Sequence, residues 1–149
     1  MKLISQHSII SILVSDQERA LRFYLEQLGL EIRTDQSFAP GLRLVTVAPP
    51  GQSRPEIALG CSDQTFYPVE HKSKVQEQHA QMLSSIFITT HCWQDYKQLL
   101  ERGITFLQSP RQQRYGVEAI FCDPDGNTFT LLEVAPGVQF APLYFGSAA

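Results

Sequence analysis

Few of the features that assign a protein to a specialised class occur in this sequence. No hydrophobic run reaches the ~20 residues that span a bilayer. The apolar start, "MKLISQHSIISILVS", is interrupted by Ser5, Gln6, His7, Ser8 and Ser11. Export and membrane insertion are therefore not expected. Cysteine is scarce: Cys61, Cys92 and Cys122 are odd in number and lack CxxC spacing, which fits reduced thiols in a cytoplasmic protein. Basic residues are few and dispersed, 12 Lys and Arg against 15 Asp and Glu, for a net charge of -3. A nucleic-acid footprint needs a basic stripe, so no nucleic-acid partner is expected. No Gly-rich phosphate loop, Ser/His/Asp order or paired-carboxylate arrangement emerges. The 149 residues suffice for one domain whose core needs no disulfide or metal staple.

What the chain does have is a repeat. Residues 9–14, "IISILV", form a β-branched run, after which Ser15 and Glu18 read as a capping box opening the helix "DQERALRFYLEQL". Ala20, Phe23, Tyr24 and Leu28 fall on one face of it, and Gly29 stops it. "SIFITT" at 85–90 is a second β run, followed by "HCWQDYKQLLERG", in which Trp93, Tyr96, Leu99 and Leu100 line a face and Gly103 ends the helix. His91 would end the strand, with Thr90 the better N-cap type. Each helix is followed by a strand ("LEIRT", "ITFLQ") and then a hairpin, "RLVTVAPPGQSRPEIALG" or "VEAIFCDPDGNTFTLLE". The helix-ending glycines are 103 − 29 = 74 apart and the turn glycines 126 − 51 = 75 apart.

Each half thus reads β-α-β-β-β. A small sheet carrying one helix cannot bury its other face alone, so the expected fold is α+β. Two tandem modules, about 5–60 and 84–134, pair into a curved, barrel-like sheet around a cleft. Residues 61–83 would be a polar linker, with His71 and His79 solvated. The tail, 135–149, carries Phe140, Tyr144 and Phe145, which would dock on the sheet or on a second subunit.

"VSDQERALRFYLEQLGLEI" and "FCDPDGNTFTLLE", with the repeat, resemble the vicinal oxygen chelate superfamily: glyoxalase I, bleomycin-resistance proteins and extradiol dioxygenases. The resemblance covers nearly the whole chain apart from linker and tail. It implies a cleft in which the enzymes hold a divalent ion with His, Glu or Gln from the first and last strands of each half. Here those positions fall on Ile9, Ala58, Ser85 and Thr130, none a usual ligand. Losing all four removes the charge and the donor atoms that fix a hard or borderline cation. An offset site would have to move by two residues to keep its face, which selects His7 and Glu56 in the first half but only Leu83 and Thr128 in the second.

Regular strands would line the cleft with His7, Ile9, Ser11, Leu13, Glu56, Ala58 and Gly60 from the first half. The second half would add Ser85, Phe87, Thr89, Thr128, Thr130 and Leu132. Such an apolar lining with a few hydroxyls suits a small-molecule pocket. Glu118 interrupts the apolar strand "VEAIFC" as either a cleft acid or an outward edge charge, and Cys122 reads as a small buried hydrophobe. The leading expectation is a binding protein without metal or other cofactor, sequestering or sensing an apolar or aromatic ligand. By the resemblance it is a homodimer. The alternative is a metal-dependent lyase or dioxygenase using His7 and Glu56. A third reading is metal-free catalysis with Glu118 or Glu56 as general base.

Overall fold

The computed structural model describes residues 3, 4, 6, 8–61 and 85–138. His7, the linker with His71 and His79, and the tail aromatics Phe140, Tyr144 and Phe145 lie outside them. The first module comprises β1 (Ile9–Val14), α1 (Gln17–Leu21) running on as a π-helical segment (Arg22–Gln27), β2 (Glu31–Ala39), β3 (Leu42–Ala48) and β4 (Glu56–Cys61). The second comprises β5 (Ser85–Ile88), α2 (Cys92–Glu101), β6 (Thr105–Gln113), β7 (Gly116–Cys122) and β8 (Thr128–Val134). Each module is a mixed four-stranded sheet, ordered β1-β4-β3-β2 and β5-β8-β7-β6. In each the first strand runs parallel to the last, and the other pairings are antiparallel. Among the described residues the sheets are not joined by hydrogen bonds into a closed barrel, and β1 and β5 are edge strands.

The alternation of side chains along each strand decides what is buried. Ile12, Val14, Val45, Val47 and Leu59 from one sheet, and Ala119, Phe121, Phe129 and Leu131 from the other, join Phe23, Tyr24 and Leu99 of the helices in a single core. The modules therefore share the core on their helix-bearing faces. Tyr24 of the first module meets Phe129 of the second edge-on, with ring centroids 6.1 Å apart. Full burial of side chains of this size is worth roughly 1.5–3 kcal/mol each, the main attraction between the modules.

Both helices start differently from the sequence reading. Asp16, not Ser15, caps α1: its Oδ1 accepts from the backbone N–H of Glu18 and Arg19 at 2.9 and 3.2 Å. Ser15 is drawn away, donating from its hydroxyl to Asp125 at 2.6 Å. The widened turn that follows carries an N–H of Leu28 to the carbonyl of Phe23, five residues back, at 2.9 Å. Gly29 then takes φ of 83°, which lets Leu30 donate to the Tyr24 carbonyl at 2.8 Å and close the helix. At α2 the N-cap is His91, which makes no side-chain cap bond. Glu133 accepts from the Cys92 N–H at 2.8 Å instead. The buried face of α2 holds Cys92 and Leu99, with Tyr96 half-buried, whereas Trp93 is 53% exposed and Leu100 42%.

Gln27 and Arg102, at the ends of the two helices, meet between the modules. They exchange bonds across the seam: Gln27 Nε2 donates to the Arg102 carbonyl at 2.8 Å and Arg102 donates to the Gln27 carbonyl at 3.3 Å. The turn between β7 and β8 adds a polar latch. Asp123, 4% exposed, accepts from the Tyr24 hydroxyl at 2.6 Å and from Asn127 Nδ2 at 2.8 Å. Asn127 Nδ2 also donates to the Leu13 carbonyl at 2.8 Å. Asp125 accepts from Ser15 and from Arg19, the latter at 3.0 Å.

Candidate functional site

Register places the candidate residues. In the first sheet Ile9 pairs with Glu56, Ser11 with Ala58 and Leu13 with Gly60, so all six share one face. That face is opposite the one on which Ile12 and Leu59 enter the core. Thr46, paired with Ala58, joins them, and its hydroxyl donates to Glu56 Oε1 at 2.6 Å. In the second sheet Thr128, Thr130 and Leu132 pair with Cys122, Ile120 and Glu118. Glu118 therefore stands on the same face as Thr130. Gln113 Nε2 donates to its Oε1 at 3.3 Å, and the Tyr115 phenol, hydrogen-bonded to the same carboxylate, has its pKa raised by that bond.

Ser85, Phe87 and Thr89 do not join that face. Ser85 pairs with Phe129 and Phe87 with Leu131, so both stand on the core side. The Phe87 ring lies 5.2 Å from that of Phe129 and 6.2 Å from that of Phe121. Thr89 serves the start of α2: its hydroxyl donates to Asp95 and accepts from the His91 N–H. Ile86 and Ile88 are the β5 residues that share a face with Thr130 and Leu132. The cause is a count of one. The residue equivalent to the cap Asp16 is His91, 91 − 16 = 75, so the equivalent of Ile9 is position 84, outside the described residues. In a strand a slip of one residue reverses every side chain.

Both candidate faces point away from the shared core, and their edges are open: Ile9 is 42% exposed, Ile86 56% and Ile88 40%. Among the described residues each sheet thus presents one open face averted from the core. Ala58 and Gly60 keep the first face shallow, with Ser11 and Glu56 as its polar groups, and Thr128, Thr130 and Glu118 supply those of the second.

The donor set does not fit the divalent ion of the enzymes this sequence resembles. Ile9 and Ala58 bring no donor atom, and Thr130 brings a neutral hydroxyl. Among the described residues no group of three or more His, Cys, Asp or Glu could hold a metal ion. Glu56 is on the expected face, while its proposed co-ligand His7 lies outside the described residues. The thiols are equally unsuited to nucleophilic work. Burial, reinforced by Glu133, pushes Cys92 up to about 11, and burial also raises half-buried Cys122. Sequence reasoning missed the latch residues Asp123, Asp125 and Asn127, which lie in the turn of the hairpin "VEAIFCDPDGNTFTLLE".

The family model of the Glyoxalase/Bleomycin resistance protein/Dioxygenase superfamily matches residues 6–131. The chain belongs to this superfamily. Among solved structures, UcmS2 is 30% identical with a TM-score of 0.77, covering 88% of this chain and 99% of that one. A superfamily member from Sphaerobacter thermophilus DSM 20745 is 35% identical, TM-score 0.71, covering 87% and 97%. TnmS3, an antibiotic binding protein from Streptomyces sp. CB03234, is 28% identical, TM-score 0.72, covering 91% and 100%. Superfamily membership accounts for the two-module fold. Among the described residues no helix is long and apolar enough to cross a membrane.

Proposed function

We propose that this superfamily member binds an apolar or aromatic small molecule, sequestering or sensing it without a metal ion. The observation that carries the reading is the composition of the two core-averted faces: aliphatic groups and hydroxyls stand where a metal enzyme needs donors, beside one carboxylate per sheet. Such a surface holds and orients a guest but does not polarise it. The likeness to an antibiotic binding protein supports the same reading. Because each sheet presents an open face among the described residues, the complete site forms across a homodimer, the first-sheet face of one copy opposing the second-sheet face of its partner. Such a dimer is a cytoplasmic binder with no need of nucleic acid or membrane.

A thermal-shift screen against polycyclic aromatic antibiotics and aromatic acids tests it. A ligand at one hundred times its Kd should stabilise the protein by roughly 2.7 kcal/mol. Thr130→Trp, which fills the cleft, should abolish that gain while leaving the unliganded melting point unchanged. Elemental analysis finding a stoichiometric transition metal in protein purified without added ions would overturn the proposal in favour of the lyase or dioxygenase reading.

A further inference from the structure

Where β1 and β5 lie on the seam between the modules, a cavity of about 310 Å³ opens between them. That volume is at the lower end of the range of small-molecule pockets. Its wall is mostly core-side: Ile12, Ile57, Phe87 and Phe129, which stand on the core side of their strands, line it, Ile86 reaches its mouth from the cleft face, and Ala58 and Thr130 do not line it. Ile12 and Phe129 are buried, while Ile10 and Ile86 are partly open to solvent. The remaining lining is polar only at Gln52, Ser85 and Arg54 and contains no carboxylate. Arg54 hydrogen-bonds the neutral side chain of Gln6, and no ion pair involving it occurs among the described residues.

Among the described residues, the result is a hydrocarbon-lined hollow with one cation, Arg54, in its lining. An apolar cavity offers water no partners, so hydrocarbon is the favoured filling. A guanidinium without a carboxylate partner is suited to a planar anion, which it can engage through two parallel N–H bonds. A cationic or neutral guest leaves that capacity unused. We propose that the seam cavity is a second binding site, taking an amphiphilic carboxylate whose hydrocarbon part lies among Ile10, Ile57, Ile86 and Phe129 and whose carboxylate meets Arg54. This site is independent of the cleft ligand.

Isothermal titration of the full chain with octanoate, and with octan-1-ol and octylammonium as probes matched in length, tests it. Octanoate should bind saturably, at least about tenfold tighter than the alcohol, in keeping with a charge-assisted pair. Arg54→Gln should remove that tenfold advantage and leave the alcohol unaffected. Ile10→Glu, which sets a like charge at the mouth from the core-side face, should abolish octanoate binding, whereas Thr130→Glu, in the cleft, should not. The proposal is overturned if the three probes bind alike, if Arg54→Gln binds octanoate as before, if no saturable heat appears, or if Thr130→Glu loses octanoate as fully as Ile10→Glu.

Discussion

Removing one oxygen atom, in Tyr24→Phe, tests how the modules are held together. The Tyr24 ring is fully buried and its hydroxyl donates to Asp123 Oδ2 at 2.6 Å. The substitution keeps the ring packing on Phe23 and Phe129 and deletes only the bond to a buried carboxylate. Hydrogen bonds to charged groups are worth roughly 1.5–3 kcal/mol, so a loss of about 2 kcal/mol is expected in urea unfolding at pH 7. For a chain of this size that lowers the melting point by about 4–8 °C. The pH dependence separates the latch from a generic packing defect. Burial, then the charge of Asp123, raises the phenol pKa above its ordinary value of 10.0. Above about pH 10 the unfolded tyrosine loses its proton while the native one keeps it, so the unfolded state binds fewer protons and stability falls as pH rises. The native protein should therefore lose up to about 1.4 kcal/mol per pH unit relative to Tyr24→Phe, and the two stabilities should converge near pH 11–12. A difference under about 0.5 kcal/mol at pH 7, or one that persists unchanged at pH 11, would refute the account.

Three further outcomes are expected. Asn127→Ala removes the donor shared by the Leu13 carbonyl and Asp123 Oδ2, each at 2.8 Å, and should cost about 2–3 kcal/mol in urea unfolding; a loss under about 1 kcal/mol would mean that these acceptors find other donors. Gly116 has φ of 149°, and a Cβ there would sit 2.0 Å from the Glu133 carbonyl oxygen, so Gly116→Ala should cost more than about 3 kcal/mol or fail to accumulate as folded protein. Ile88→Lys, on the open face of β5, should leave the secondary structure intact by circular dichroism and halve the mass that the proposed homodimer gives in sedimentation; an unchanged mass removes that face from the proposed contact.

The parts legible in the sequence are those that local periodicity determines. The repeat, the face of α1 and the hairpin turns follow from apolar spacing and from turn residues, each confined to a few neighbours. Placement of Ser85, Phe87 and Thr89 failed because "SIFITT" is apolar on both faces, so alternation alone does not say which side is buried. That choice is made by pairing with β8, where Phe129 and Leu131 claim Phe87 for the core. The stripe of α2 was misread for a similar reason. Trp93 and Leu100 are separated by seven residues and look like a face, yet the parallel stripe through Cys92 and Leu99 is the one buried. Short runs in which both faces could serve are settled only by partners distant in sequence.

The latch shows why one of those partners escapes notice. Aligning the two turns, "APPG" and "DPDG", puts Ala48 and Pro50 where Asp123 and Asp125 stand. Asp123 serves its own turn through Oδ1, which accepts from the backbone N–H of Asp125 and Asn127 at 2.9 and 2.8 Å. Its Oδ2 and Asp125 Oδ1 reach across the seam, to Tyr24 and Ser15, residues 99 and 110 positions away. The repeat is thus broken where the modules are coupled. An apolar seam is non-directional and tolerates sliding, whereas hydrogen bonds of fixed length to Tyr24, Ser15 and the Leu13 carbonyl set one relative pose. Leu13 lies at the end of β1 on the cleft face, so the latch also fixes where the first half-cleft stands relative to the second. Weakening the latch should consequently loosen ligand affinity before it unfolds either sheet.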